Sequence, residues 1–409
     1  MAEIATLLEW LDACPTPFHV VERAASVLSS AGFSRAASID GPLPGRGFII
    51  RDGAIAAWSV GSPDRPFRVI GAHTDSPNLR VHPRPGFTSN GWDQLGVEVY
   101  GGVLLNSWLD RDLGIAGRVV GRDGNERNFC VRQPLARVPQ LAIHLDRDVN
   151  ERGVILDRQQ HLMPVWSTTG MDFPSWLADA AGTDDIAAFD AHLFDVTPAA
   201  VLGADRSMIA GGRLDNQLSC WAAVDALASS VPGGTNLVIV LNDHEEVGSD
   251  STTGASGPLL ESVITAICSG HGLSTVGMHG RLAESVCLSA DNAHAIHPNY
   301  PERHEPRHAP LINGGPALKL NGNQRYATSA RGAALVTSIA RDAGVPIQTF
   351  VTRNNMPCGS TIGPITATRL GIECVDVGVP QLSMHSAREL CGVDDPPRLV
   401  ALMSAFLAG

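Results

Sequence analysis

The chain has 409 residues, 44% of them apolar and 18% charged, with a formal net charge of −12. That is a globular composition with room for two or three domains and a large core. The acidic balance excludes the basic face that nucleic-acid binding needs, and no segment approaches the roughly 18 uninterrupted apolar residues of a membrane span. Lys319 is the only lysine among 30 basic residues. The eight cysteines are scattered without a C-x-x-C pair. Together with a first segment that lacks the pattern of a secretory signal, this predicts free thiols and a cytoplasmic location.

Apolar positions at Ile4, Leu7, Leu8 and Leu11 predict a helix over residues 4–14. Cys14-Pro15-Thr16-Pro17-Phe18-His19 interrupts it, and a second helix is expected over 20–30. Strands are expected within 47–60 and over 67–72, the latter delivering His73-Thr74-Asp75. His73 and Asp75 pair a metal ligand with a carboxylate that can hold its other ring nitrogen.

From residue 83 the chain turns Pro- and Gly-rich, with short β-like runs such as Val97–Tyr100, 117–120 and 128–131. This predicts a β-rich insertion over 83–208. Within it, Trp108-Leu109-Asp110-Arg111-Asp112 reads as a structural salt-bridge cluster. Arg213-Leu214-Asp215-Asn216 then precedes a strong helix over 217–230. Asp215 suits either a helix cap or a metal ligand at that position.

Leu237-Val238-Ile239-Val240-Leu241 reads as a buried strand, and Glu245-Glu246 follow its end. Two adjacent carboxylates there are costly to bury without partners. Helix 259–269, a strand ending before Asp291, a polar loop over 299–316, helix 325–343 and strand 346–351 come next. Residues 358–364 form a small-residue loop. A strand over 373–379, a loop carrying His385 and a closing helix over 396–407 complete the chain.

Strands separated by helices predict an α/β fold: a mixed, largely parallel sheet sandwiched by helices, with sites at the carboxyl ends of strands. The catalytic unit is expected to combine 1–82 with 209–409. His73, Asp215, Glu245/Glu246, Asp291 and His385 supply the mixed nitrogen and oxygen ligands that suit zinc. One shared carboxylate would let five groups hold two ions roughly 3.5–4 Å apart. The leftover carboxylate could then act as general base.

These motifs resemble those of the aspartyl aminopeptidases, nearly end to end. The resemblance rests on the Cys14–His19, 72–77, 108–113, Ala142-Ile143-His144-Leu145, 213–216 and 243–249 segments. It continues through 291–300, Asn323-Gln324-Arg325-Tyr326-Ala327-Thr328 and Ser383-Met384-His385-Ser386. It implies a dinuclear zinc exopeptidase, with Mn or Co as possible substitutes, that removes N-terminal Asp or Glu from peptides. His73 and Asp291 would hold one ion, Glu246 and His385 the other, and Asp215 both.

By the same resemblance, Glu245 is the general base, Asp75 orients His73, and Lys319 and Tyr326 receive the substrate's acidic side chain. His144, in an inserted dimerisation domain, would reach a neighbouring subunit's site. A dimer is then the minimum, and a tetrahedral dodecamer the family habit. Asn292 departs from the expected apolar residue but touches no assigned role. His82, His244, His294, His297, His304 and His308 are not expected to be ligands. A broader-specificity aminopeptidase, a deacylase of the same build, and a catalytically idle assembly protein are the alternatives.

Overall fold

The computed structural model describes residues 2–41, 43–62, 65–231 and 234–409. Its frame is a nine-stranded sheet. The apolar run Leu237–Leu241 lies at its centre in the strand Asn236–Asn242, buried throughout. Continuous burial is what a strand covered on both faces requires. Phe67–His73, Val286–Ala290 and Glu373–Gly378 continue outward from it in parallel register. Antiparallel strands Ala54–Ser59 and Arg46–Arg51 continue the other side, which ends on the short strand Ser34–Arg35.

Helices cover both faces. Pro17–Ser30, Leu214–Ala228 and Asp395–Ala408 pack Trp221, Leu399 and Phe406 with Ile70, Ile239 and Val377. Leu259–Gly270 and Thr275–Glu284 pack Val263, Ile267 and Leu282 onto Val69 and Val238 on the opposite face. Each buried aliphatic side chain contributes about 1.5–3 kcal/mol, so these two cores set the frame. Among the described residues, no single helix is long and apolar enough to cross a membrane.

Several expected boundaries move. Helix 20–30 starts at Pro17, where the missing N–H costs nothing in the first turn. Helix 325–343 starts only at Ala330, because Ser329 caps it and Asp376 takes the N–H of Ala327. Thr275–Glu284 and Ile362–Leu370 are helices where none was expected.

A six-stranded antiparallel sheet draws its strands from Asn78–Ser89, Trp92–Tyr100, Leu113–Val120, Glu126–Ala136, Val165–Ser167 and Ala188–Asp195. It begins at Asn78, ahead of the expected residue 83. Leu79, Ile115, Phe129, Phe173 and Leu193 form its own core. The 108–112 cluster is structural: Arg137 pairs with Asp112 at 2.6 Å and Arg111 with Asp195 at 3.2 Å. Arg118 ties this sheet to the central unit through Asp52 at 3.0 Å and the Phe18 ring at 4.2 Å.

A third, five-stranded sheet joins Ala200–Leu202, Met208–Gly211, Glu389–Gly392, Pro380–Leu382 and Ala293–His294. Its strands come from far apart in the chain.

His192 sits where these parts meet, its Nδ1–H donating to Asn78 Oδ1 at 3.1 Å and its ring edge-on to Phe18 and Tyr100. Burial pushes its pKa down to about 3. Burial likewise lowers His19 to about 4. Between those values and the ordinary 6.5 only the unfolded chain takes the proton, so stability falls as pH drops through 6.5. Urea unfolding with chelator throughout should show His192 costing about 2 kcal/mol at pH 5 relative to pH 7. His192→Gln should lose less stability over that interval; an unchanged slope would contradict the assignment.

Candidate metal centre

Three neighbouring parallel strands end together. Asn242 lies beside His73 in register, and Ser289 lies beside Gly71. His73, Glu245/Glu246 and Asp291 therefore leave the sheet at one edge. Asp215 and His385 arrive differently. Asp215 follows the Met208–Gly211 strand of the third sheet, and His385 lies in the loop between Pro380–Leu382 and Glu389–Gly392. Three segments thus come from strand ends of the main sheet; Asp215, in the first turn of the helix Leu214–Ala228, and His385 are delivered by the small sheet.

His73 Nε2 lies 3.5 Å from Asp215 Oδ1, 3.7 Å from Asp291 Oδ1 and 3.9 Å from Glu245 Oε2. His385 Nε2 lies 3.3 Å from Glu246 Oε2 and 3.5 Å from Asp215 Oδ2. Ligand atoms around a tetrahedral zinc lie about 3.3 Å apart, given bonds of about 2.0–2.1 Å. Among the described residues, three groups bring their ligand atoms within 4.8 Å of one another and could close on a cation: His73–Asp215–Asp291, Asp215–Glu246–His385 and His73–Glu245–Glu246.

Two further observations fit a cation. Asp215 Oδ1 and Glu246 Oε1 are buried without a hydrogen-bond partner, a state costing several kcal/mol for a charged group unless it is paired. Each imidazole also has its far nitrogen fixed by a carbonyl. His73 Nδ1–H donates to Asp75 O at 3.1 Å, and His385 Nδ1–H to Gly102 O at 3.0 Å. Both Nε2 atoms are thereby turned toward the carboxylates.

Asp75 does more than orient His73. Its Oδ1 accepts the N–H of Glu245 at 3.1 Å, and its Oδ2 accepts the N–H of Glu246 at 3.1 Å and the Tyr100 hydroxyl at 2.7 Å. Tyr100-Gly101-Gly102 forms a strap over the site. Gly101 has φ +74°, and a Cβ there would meet Glu246 Cβ at 3.0 Å. A Cβ on Gly102 would meet His385 Nδ1 at 3.0 Å. Tyr100 and this glycine pair were missed from the sequence; a Gly-Gly after an aromatic strand end was the available signal.

Glu245 is the most exposed carboxylate of the cage, at 16% against 12% for Asp291 and 4% for Glu246. Burial pushes its pKa up to about 7; His73 opposes this, and the charges of Asp291, Asp75 and Asp215 add to it. The least buried carboxylate of the cage, and one that burial pushes toward holding a proton, suits proton transfer.

Lys319 is buried and all three of its protons are taken. Nζ donates to Asp291 O at 3.0 Å, Asp291 Oδ2 at 3.1 Å and Asn292 O at 3.0 Å. It also lies 4.7 Å from the Tyr326 ring centroid. Asn292 is buried and donates to Leu214 O and Gln381 Oε1, tying the Asp291 strand to the Asp215 turn. His244 has φ 59°, which turns it away from the cage to Ser251 Oγ at 2.9 Å. His297 and His304 bond within their own loop, and His308 bonds Glu305. His144 is exposed in the short turn Ile143–Leu145, and this chain does not bring it to the cage. Leu141 and Leu145 beside it in the chain are 57% and 74% exposed, and Ile155, eleven residues on, is 71% exposed.

A cage of histidines and carboxylates at the edge of a helix-flanked, partly parallel sheet is the build of a metal-dependent hydrolase. The family model described as Aminopeptidase I zinc metalloprotease (M18) matches residues 10–407. The chain belongs to this M18 family, whose members are zinc metalloprotease aminopeptidases.

A probable M18 family aminopeptidase 2 of Streptomyces coelicolor is 51% identical, the match covering 98% of this chain and 96% of that one. The Mycobacterium tuberculosis H37Rv relative of the same description is 45% identical over 98% and 97%. Among solved structures, the Ape4 and Nbr1 complex matches with TM-score 0.94 at 35% identity, over 99% of this chain and 85% of that one. The yeast mApe1 dodecamer matches with TM-score 0.86 at 28% identity, over 99% and 96%.

Proposed function

We propose that the chain hydrolyses the N-terminal residue of peptides, acidic residues by preference, with two divalent ions per chain. Zinc is the default, and Mn or Co is acceptable to so carboxylate-rich a set. The observation that carries the reading is Asp215: it belongs to two candidate groups at once, and one of its buried oxygens accepts no hydrogen bond from the described residues. His73 and Asp291 complete one group, Glu246 and His385 the other. Bound there, the ions would polarise the scissile carbonyl and make a water acidic enough to be deprotonated near neutral pH. Glu245 takes that water's proton and returns it to the leaving amine. Asp75 holds the backbone of Glu245 and the ring of His73 while this happens.

Self-association completes the reading. The exposed apolar residues flanking His144 support burial of that arm against a second copy, where His144 would act on the neighbour's substrate. On this view the antiparallel sheet is the dimerisation element, and the yeast dodecamer is a precedent for the assembly. Eight free cysteines support a reducing, cytoplasmic setting.

The saturated ammonium of Lys319 favours a second reading, an aminopeptidase of broader specificity. An acidic side chain could reach Nζ only by displacing one of three protein acceptors. Rates on peptides with N-terminal Asp, Glu, Leu and Arg, for wild type and Lys319→Met, separate the two. Acidic preference predicts fastest turnover on Asp and Glu in the wild type. It also predicts a selective loss on them of about 10-fold or more in the variant, the scale of a buried charged hydrogen bond. Equal losses on Leu and Asp would leave Lys319 as a support of Asp291 alone and favour the broader reading.

A further inference from the structure

Glu389 is a buried carboxylate, 2% exposed, to which neither the sequence motifs nor the proposed reaction gives a role. Its two oxygens divide between two cage segments. Oε2 accepts the backbone N–H of Asp215 at 2.9 Å, and Oε1 accepts the backbone N–H of His385 at 2.6 Å. Gln381 Nε2 lies at 3.5 Å from Oε1. The placement follows from the third sheet. Glu389 is paired in register with Gly211, shortly before Asp215, and its strand forms a hairpin with Pro380–Leu382 around the His385 loop.

We propose that Glu389 is a positioning residue for the ion shared by Asp215, Glu246 and His385, an inference that rests on the two-ion reading above. It mirrors Asp75, which holds the His73 ring and the Glu245 and Glu246 backbones. Asp75 holds the His73 and Glu245/Glu246 segments that leave the main sheet, and Glu389 the two segments that the small sheet delivers. Asp215 and His385 come from segments with no common strand in the main sheet, so Glu389 and its hairpin set the distance between them. Its two oxygens also give hydrogen-bond partners to two backbone donors that burial beside the site would otherwise leave unpaired.

Zinc titration into chelator-stripped protein tests this. Wild type should take two equivalents; fewer would remove the two-ion reading, and the inference with it, before any variant is compared. Glu389→Gln cannot accept both N–H groups without turning an NH₂ toward one of them. It should weaken one equivalent about 10–100-fold, the usual effect of losing a partner behind a ligand, and the other, which shares only Asp215 with it, distinctly less. The weakened equivalent should be the one His385→Ala loses, and the double variant should lose no more than His385→Ala alone.

Asp395→Asn is the control. Asp395 is wholly buried and also accepts two backbone N–H groups, from Asn313 and Gly315, away from the cage. It should lower thermal stability without changing either zinc affinity. If Glu389→Gln does not fold, Glu389→Asp, which keeps the carboxyl but not the reach, should show the same preferential loss of one ion. Wild-type affinity for both ions in the Glu389 variant, or equal weakening of both in it and in Asp395→Asn, would overturn the proposal.

Discussion

Glu245→Gln should retain both metal equivalents and the fold while turnover falls about 10²–10⁴-fold, the range of general acid–base catalysis. The backbone of Glu245 is pinned by its N–H to Asp75, so the amide will occupy the carboxylate's place. The glutamine side chain has the same shape and can still accept a hydrogen bond. It cannot hold a proton taken from water and release it to an amine. Substrate contacts are left intact, so KM should move far less than kcat. Steady-state kinetics beside metal analysis of the same preparation reads both quantities. Near-wild-type kcat would move the proton-transfer role to another group.

Asp215→Asn should have the broadest effect on metal content. Its carboxylate lies 3.5 Å from the Nε2 atoms of both His73 and His385. It is 3% exposed, and Oδ1 accepts no hydrogen bond from the described residues. An asparagine presents one acceptor and one NH₂, so a group facing two cations would meet one of them with a donor. Retention of both ions is therefore not expected, and activity should fall at least as far as in Glu245→Gln. Asp291→Asn should by contrast spare the group built on His385. Metal content after extensive dialysis distinguishes the two variants. Two firmly held ions in Asp215→Asn would mean that this residue is not shared.

The parts of this site legible in the sequence are those fixed by strand periodicity. His73, Glu245, Glu246 and Asp291 sit just past apolar runs, and those runs form adjacent parallel strands. Asp215 and His385 were legible as residues, but their route to the cage was not. The sheet that delivers them pairs Met208–Gly211 with Glu389–Gly392, a contact no local pattern encodes. Glu389 was missed for the same reason. It stands in a short strand, Glu-Leu-Cys-Gly, where a carboxylate in an apolar run was the only signal.

Helix Ile362–Leu370 was hidden by Gly363 and Pro364, which its first turn tolerates. The start of the helix at Ala330 was misplaced because Asn321 Oδ1 takes the N–H groups of Asn323 and Arg325 and holds that stretch as a turn. Lys319 shows the limit of resemblance. A motif suggests the substrate role, but the three acceptors around Nζ depend on how the Asp291 strand end packs against Ala317–Leu320.

The central claim is that two divalent ions lie on either side of Asp215. Anomalous diffraction at the zinc edge from crystals grown with zinc measures this directly. Two peaks roughly 3.5–4 Å apart, one beside His73 and Asp291 and the other beside Glu246 and His385, are the expected result. A single peak, or density remote from Asp215, would contradict it.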